Sequence, residues 1–266
     1  MTYHRAILSQ LSDNFNVNAA NWSINLYVEV ILEEPVTKLD RIVEQFGEQI
    51  VQGKYTPGAA LPAETELCQN YEVSRATLRE VVKVLAAKRL INVQRHRGLL
   101  IMPKEKWNYL DTDVLRWVLS VENNYDFIHI LLETRIVVEP AIAEWAASRA
   151  TAVDLVEMES ALNDMDRLYE DKNAFNLADI RFHQALIAAA HNVVIEQLGE
   201  AISTLQRAVF DVTYFADHET REVTISQHRK LYDAVRLQNP KVARKISLAM
   251  ITGVEKRIAE KYAAKP

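Results

Sequence analysis

The run Ser74-Arg75-Ala76-Thr77-Leu78-Arg79 sets two arginines four residues apart, which puts both on one face if the segment is helical. A guanidinium pairs bidentately with O6 and N7 of guanine, so a helix exposing this face is suited to reading base edges in a major groove. Ser74, Thr77 and Lys83 are suited to the flanking phosphates. A few residues on, Arg95-His96-Arg97-Gly98 concentrates charge at a glycine turn that can approach a sugar-phosphate backbone closely. The plainer reading of these residues is a solvated helix face and a solvated turn. Against it stands their density: residues 74–97 hold seven Lys/Arg and one acid, Glu80.

A second constellation lies far downstream. Asp179 and His183, in Asp179-Ile-Arg-Phe-His183, form an i, i+4 pair that can chelate one divalent cation, and His228 is the best candidate for a third ligand. The bland alternative is a surface Asp/His pair without a metal. Arg135 sits among Leu131, Ile136, Val137, Val138 and Ile142, where an unpaired guanidinium would be costly. It needs a carboxylate, either Glu139 at i+4 or that of a small-molecule effector bound bidentately. Arg207, amid Leu205 and Val209, is a weaker effector-binding candidate that reads equally as a helix-surface arginine. No nucleophile with base and orienter is visible, and no Gly-rich phosphate loop, so an enzyme is not expected.

These residues need elements to hold them. The 266 residues are 49% hydrophobic and 25% charged, and only six are glycine and seven proline, which favours a mainly α protein of long helices joined by short loops. The chain is long enough for two domains. Cys68 is the sole cysteine, no apolar run reaches bilayer length, and no leader pattern opens the chain, so a cytoplasmic protein without a membrane partner is expected. The net charge of −5 hides an asymmetry. Residues 37–103 carry ten Lys/Arg against seven acids, a net of +3, which leaves −8 for the remainder.

Residues 1–36 fit neither part and form an N-terminal extension of unknown role. From 36 to 51 the apolar residues Leu39, Ile42, Val43, Phe46 and Ile50 recur at helical spacing. A second helix is expected over 64–71 and a third over 75–88, with Ser74 as its N-cap. Leu90 to Gln94 and Leu99 to Met102 then read as a hairpin. Three helices and a hairpin over 37–103 make a winged helix-turn-helix. Residues 103–108 read as a linker, and helices are expected over 109–121, 126–148, 152–169, 173–190, 193–215, 222–237 and 240–261, an all-helical domain over 109–261.

Gly53-x-Tyr55-x-Pro57-Gly58-x-x-Leu61-Pro62-x-Glu64-x-Glu66-Leu67, Val73-Ser74-Arg75-x-Thr77-Leu78-Arg79-Glu80 and Leu85 through Gly98 resemble the DNA-binding domain of the gluconate-repressor (GntR) family. The resemblance implies that Arg75, Arg79, His96 and Gly98 contact a double-stranded DNA operator. The chain departs from the pattern at Thr65, where many relatives carry arginine. The region from about 110 to 258 resembles the FCD type of helical effector-binding domain found in the fatty-acid-repressor branch. That implies a divalent metal, zinc or similar, on Asp179, His183 and His228, and an Arg135 directed into the pocket. A further histidine of that pattern falls on Met250, a poor partner for such an ion beside carboxylate and imidazole. Three ligands then remain. Either the ion is held weakly, with water or effector oxygens completing its shell, or the polar groups serve without it.

Trp107 to Leu119, Val138 to Ala147 and Leu205 to Phe210 are similar to the galactonate-operon branch of the same family, which implies a sugar acid such as galactonate as effector. The expectation is a homodimeric repressor of sugar-acid catabolism, released from DNA by its effector. The alternatives are an activator, a regulator responding to another carboxylate (lactate, a dicarboxylate or a fatty acyl thioester), a metal sensor, or a metal-dependent enzyme built on the helical domain.

Overall fold

The computed structural model describes residues 37–121, 125–213 and 218–263, so residues 1–36 lie outside the described residues. The described residues form ten α-helices and one two-stranded hairpin. The first part contains α1 (Lys38–Val51), α2 (Glu64–Asn70), α3 (Arg75–Ala87), β1 (Ile91–Gln94) and β2 (Gly98–Ile101). Thr37 starts α1 through a reciprocal capping box with Asp40, satisfying two backbone N–H groups that the first turn leaves unpaired. Ser74 caps α3 by accepting from the Thr77 amide at 3.1 Å. Phe46, Ile50, Leu67, Leu78, Val81, Leu85, Leu90 and Ile101 close one core between helices and hairpin.

The hairpin is antiparallel, with Gln94 opposite Gly98, so residues 95–97 form a three-residue loop. Gly98 has φ +76°, the left-handed conformation that such a loop requires at its end. The segment 58–61 joins as a short third strand: Leu61 N–H donates to Leu99 O at 2.8 Å and Ile101 N–H to Ala59 O at 3.0 Å.

Two features differ from the sequence expectation. Residues 103–108, read as a linker, are pinned by a 3₁₀ turn (Lys104–Lys106) and by buried Trp107, whose indole N–H donates to Met102 O at 3.0 Å. The helix that follows, α4 (Thr112–Ser120), reads as the start of the helical domain, yet Val114, Trp117 and Val118 pack into the winged-domain core. Its other face puts Leu115 against Leu131 and Ala201 of the helical bundle. Lys88 Nζ locks the seam from the α3 side, 2.8 Å from both Asp111 and Asp113 carboxylates. Burial opposes its charge, but the two aspartates outweigh burial and raise its pKa. Arg116 pairs with Glu44 of α1 and, at 3.0 Å, with Asp113.

Trp117 reaches this position because residue 47 is glycine: a β-carbon there would overlap the indole ring. Alanine normally gains about 1 kcal/mol over glycine inside a helix. Here overpacking costs about 1–3 kcal/mol, so Gly47→Ala is expected to lower the melting temperature rather than raise it. A thermal melt decides the sign, and a more stable variant would mean that Trp117 yields freely.

The second part comprises α5 (Tyr125–Arg149), α6 (Ala152–Arg167), α7 (Lys172–Ala189), α8 (Val193–Thr213), α9 (His218–Arg236) and α10 (Pro240–Ala263). Side-chain caps from Thr151 and Asp171 start α6 and α7. The longest pairings are α5 with α10 and α6 with α7, while α9 leans on α6, α5 and α10. Ala143, Ala146, Met158, Met165, Phe175, Phe182, Leu231 and Val235 are among the residues that fill the core. The alanines of α5 let neighbouring helices approach closely enough to enclose what lies between them.

Candidate nucleic-acid interface and effector site

On α3 the apolar residues Leu78, Val81, Val82 and Leu85 face inward, so the helical period turns Arg75, Arg79 and Lys83 outward in one exposed stripe. Arg79 lies 3.7 Å from Glu64 of α2, a loose pair with both side chains largely in solvent. Lys83 Nζ meets Glu80 at 2.8 Å. Ser74 is occupied by capping and by a 2.9 Å bond with the Thr77 hydroxyl, so both hydroxyls lie at the helix N-terminus, where exposed N–H groups and the helix dipole favour an anion. At the wing tip Arg95, His96, Arg97 and Gly98 are all exposed. Thus the nine residues form two exposed basic prominences, a helix face and a wing.

Inside the bundle the geometry is the reverse: polar groups enclosed by apolar ones. Asp179 and His183 of α7 and His228 of α9 bring their ligand atoms within 4.8 Å of one another, and among the described residues they are one such group. His228 Nε2 is 3.0 Å from Asp179 Oδ1 and 3.2 Å from His183 Nε2. Its Nδ1 lies 2.8 Å from Thr224 O, a carbonyl that can only accept, so Nδ1 carries the proton and Nε2 is the atom turned to the site. Phe182 buttresses both imidazoles edge-on, with centroids 4.9 Å from His228 and 5.8 Å from His183.

Burial disfavours every charge here, and the neighbours decide which charges survive. For Asp179, burial is outweighed by the His228 hydrogen bond and by the charges of His228, His183 and Arg135, which hold the carboxyl below its usual range. For His228, burial is likewise outweighed by Asp179, and its pKa is raised. His183 has no comparable bond, and burial pushes its pKa down to about 4 even though Asp179 opposes this. At neutral pH His183 is therefore the neutral imidazole, set beside a carboxylate with its Nε2 3.2 Å from His228 Nε2. A neutral imidazole and an ionised carboxylate are the forms a metal ligand needs, and an ion bound here would displace the proton that His228 Nε2 shares with Asp179, so the donor set of one carboxylate and two imidazoles fits a borderline divalent ion.

Arg135 and Glu139, one turn apart on α5, are both buried. Nε donates to Glu139 Oε1 at 2.6 Å, and Nη2 reaches Oε2 at 3.4 Å. Of the two carboxylates weighed from sequence, the i+4 glutamate is thus the partner in place. The pair still acts on the site: Arg135 helps to ionise Asp179, and Glu139 helps to charge His228. Pro140 interrupts the backbone ladder of α5 one residue later. Met250 is buried in the same core, where it supplies an apolar wall. Arg207 lies on α8, but its side chain is outside the described residues.

Sequence reasoning passed over three buried polar residues of the bundle: Ser203 and Gln206 on α8, and Ser247 on α10. A signal was present. Leu198, Ala201 and Ile202 set an apolar stripe on α8 that Gln206, four residues after Ile202, interrupts.

Comparison with known proteins supplies a context for both surfaces. Residues 38–101 match the family described as bacterial regulatory proteins of the gntR family, and residues 130–253 match the FCD domain. The chain is 50% identical over 227 residues to the galactonate operon transcriptional repressor of Escherichia coli K12, covering 85% of this chain and 98% of that protein. It is 26% identical over 217 residues to the uncharacterized HTH-type regulator YieP of the same organism, covering 81% and 93%. Among solved structures, Lar of Listeria monocytogenes shares the fold with a TM-score of 0.56 at 21% identity, covering 85% of this chain and 97% of that one.

Proposed function

Because this chain belongs to the GntR family of bacterial regulatory proteins and carries an FCD domain, we propose that it represses an operon for the catabolism of a galactonate-type sugar acid and leaves its operator when that acid binds. The general role needs no proposal: it is a DNA-binding transcription regulator with an effector-binding domain, and its relatives are regulators rather than enzymes. No helix among the described residues is long and apolar enough to cross a membrane.

The observation that carries the sugar-acid reading is the enclosed cluster of Arg135, Glu139, Asp179, His183 and His228. A site with this many charges and imidazoles within the bundle core suits a small, oxygen-rich anion. It is wrong for an acyl chain, which needs a long apolar tunnel. The 50% identity to a galactonate operon repressor supports the same class. Asp179, His183 and His228 would hold the metal, whose role when bound is to attract the carboxylate and hydroxyl oxygens of the acid. The protein's own contribution is orientation: the Thr224 carbonyl fixes the His228 ring, Phe182 walls both rings, and Arg135 presents its guanidinium from α5.

On the DNA side two copies, related by a two-fold axis, would set two α3 helices into successive major grooves of a near-palindromic operator. Arg75 and Arg79 read bases, Ser74, Thr77 and Lys83 take phosphates, and the wing residues Arg95, His96, Arg97 and Gly98 follow the adjoining groove. Helix α4 is the element able to link the two events, since Trp117 is seated in the winged core and Leu115 against α5 and α8. A ten-fold preference of the acid for the DNA-free arrangement is worth about 1.4 kcal/mol per site, so two sites give about 3 kcal/mol, enough to loosen an operator complex.

The test is fluorescence anisotropy of the protein on labelled DNA from upstream of its own gene, titrated with galactonate and a panel of related acids, with and without a chelator. Release by galactonate at concentrations that lactate and dicarboxylates do not match is the expected result. Chelation should raise the concentration needed. A complex that no sugar acid disturbs would sink the effector class.

A further inference from the structure

Among the described residues, both ends of one buried carboxamide have no partner. Gln206 is only 4% exposed, yet neither Oε1 nor Nε2 makes a hydrogen bond, and Ser203 Oγ, one turn earlier on the same face of α8, is buried and unpartnered too. These are three unmet hydrogen-bonding atoms in one place. Leaving such a group unsatisfied in an interior is costly, whereas leucine fits the same volume without that cost. A helix that otherwise buries Ile195, Leu198 and Ile202 against the bundle would be more stable with an apolar residue there.

The position indicates what the atoms are for. Helix α8 lies against α4 on one side and against α7, α5 and α10 of the bundle on the others. Ile202, one turn before Gln206, shares the core cluster of Phe182 and Met250, and Phe182 is the ring that buttresses His183 and His228. The face of α8 that carries Gln206 is thus turned to the core that holds the charged site. The charged site itself supplies cation and imidazole chemistry, which is suited to a carboxylate and its neighbouring oxygen. It offers nothing selective for the rest of a polyhydroxylated chain. A hydroxyl both donates and accepts, and a carboxamide beside a serine hydroxyl presents the matching donor and acceptors.

We propose that Gln206 and Ser203 form a hydroxyl-recognition wall of the effector site, reading the polyol chain of the acid while the charged cluster holds its carboxylate end. The inference rests on the sugar-acid reading and deepens it. Selectivity of this kind is steep, because an acid lacking the hydroxyls leaves the buried amide unmet, while one that has them satisfies it.

Isothermal titration calorimetry of galactonate into the DNA-free protein tests it, alongside thermal melts without acid. Gln206→Leu is expected to weaken galactonate binding at least ten-fold, which is about 1.4 kcal/mol. Ser203→Ala should weaken it by less, and Gln206→Glu, which keeps the shape but replaces the amide donor with a second negative group, by more. Without acid, Gln206→Leu should melt higher than the wild type by about 2–4 °C. Galactonate affinity within two-fold of wild type in both Gln206→Leu and Ser203→Ala overturns the inference and leaves the sugar-acid reading standing. A Gln206→Leu protein that melts lower overturns it as well, since the amide would then be holding structure. A wild type that binds no galactonate overturns the sugar-acid reading itself and this inference with it, and that outcome is read without any variant.

Discussion

With Arg79 replaced by alanine, the protein is expected to stay folded and to lose specific operator binding. The fold is safe because the side chain is 67% exposed and its one ion pair, with Glu64, spans 3.7 Å in solvent. Pairs of that kind contribute about 0–1 kcal/mol. The loss on DNA is large because a bidentate arginine on guanine is worth about 1–3 kcal/mol, and a two-fold dimer loses it twice. The expected weakening is therefore between roughly thirty-fold and twenty-thousand-fold for the operator, with much less for unrelated DNA. Lys83→Ala makes the contrast. A phosphate contact carries no sequence information, so binding should weaken evenly on all sequences and the salt dependence should become shallower by about one ion per lysine lost. Anisotropy at several salt concentrations separates the two. Should Arg79→Ala hold the operator as tightly as the wild type, α3 would not be reading bases through this residue.

The parts of this molecule that repeat a local rule are the parts that sequence makes legible. Ser74 caps α3, Thr37 and Thr151 box the starts of their helices, and the apolar period of α1 and α3 points the right residues inward, because each depends on neighbours within four positions. Arg135 with Glu139 is of the same kind, one turn of one helix. Asp179 and His183 are readable as a pair and His228 as the candidate third ligand, but nothing local says that His228, forty-five residues after His183, closes on them. The role of α4 was out of reach for a similar reason. Trp117 fits the winged core because of Gly47, seventy residues earlier, and Lys88 meets Asp111 and Asp113 across a chain turn that its own helix gives no sign of. Gln206 is a different case: the periodicity of α8 marks it as a flaw in an apolar stripe, and only its burial without a partner turns the flaw into a clue.

The second large effect is expected at Arg135, and the structure splits it into two measurable parts. Arg135→Ala leaves Glu139 buried at 5% exposure without its cation, and breaking a buried pair from one side costs about 3–5 kcal/mol. A melting temperature lower by about 10 °C follows for a chain of this size. The response to acid should vanish as well, but a destabilised protein could lose that for trivial reasons. Removing both partners resolves the ambiguity. In Arg135→Met with Glu139→Leu no charge is stranded, and buried pairs replaced by apolar residues of similar volume are neutral or stabilising. Stability should therefore return to near the wild-type value. If the guanidinium serves the effector, operator release by galactonate stays lost in this refolded double variant. Recovery of both stability and release would show that the pair only braces α5, and that the anion is held without the guanidinium.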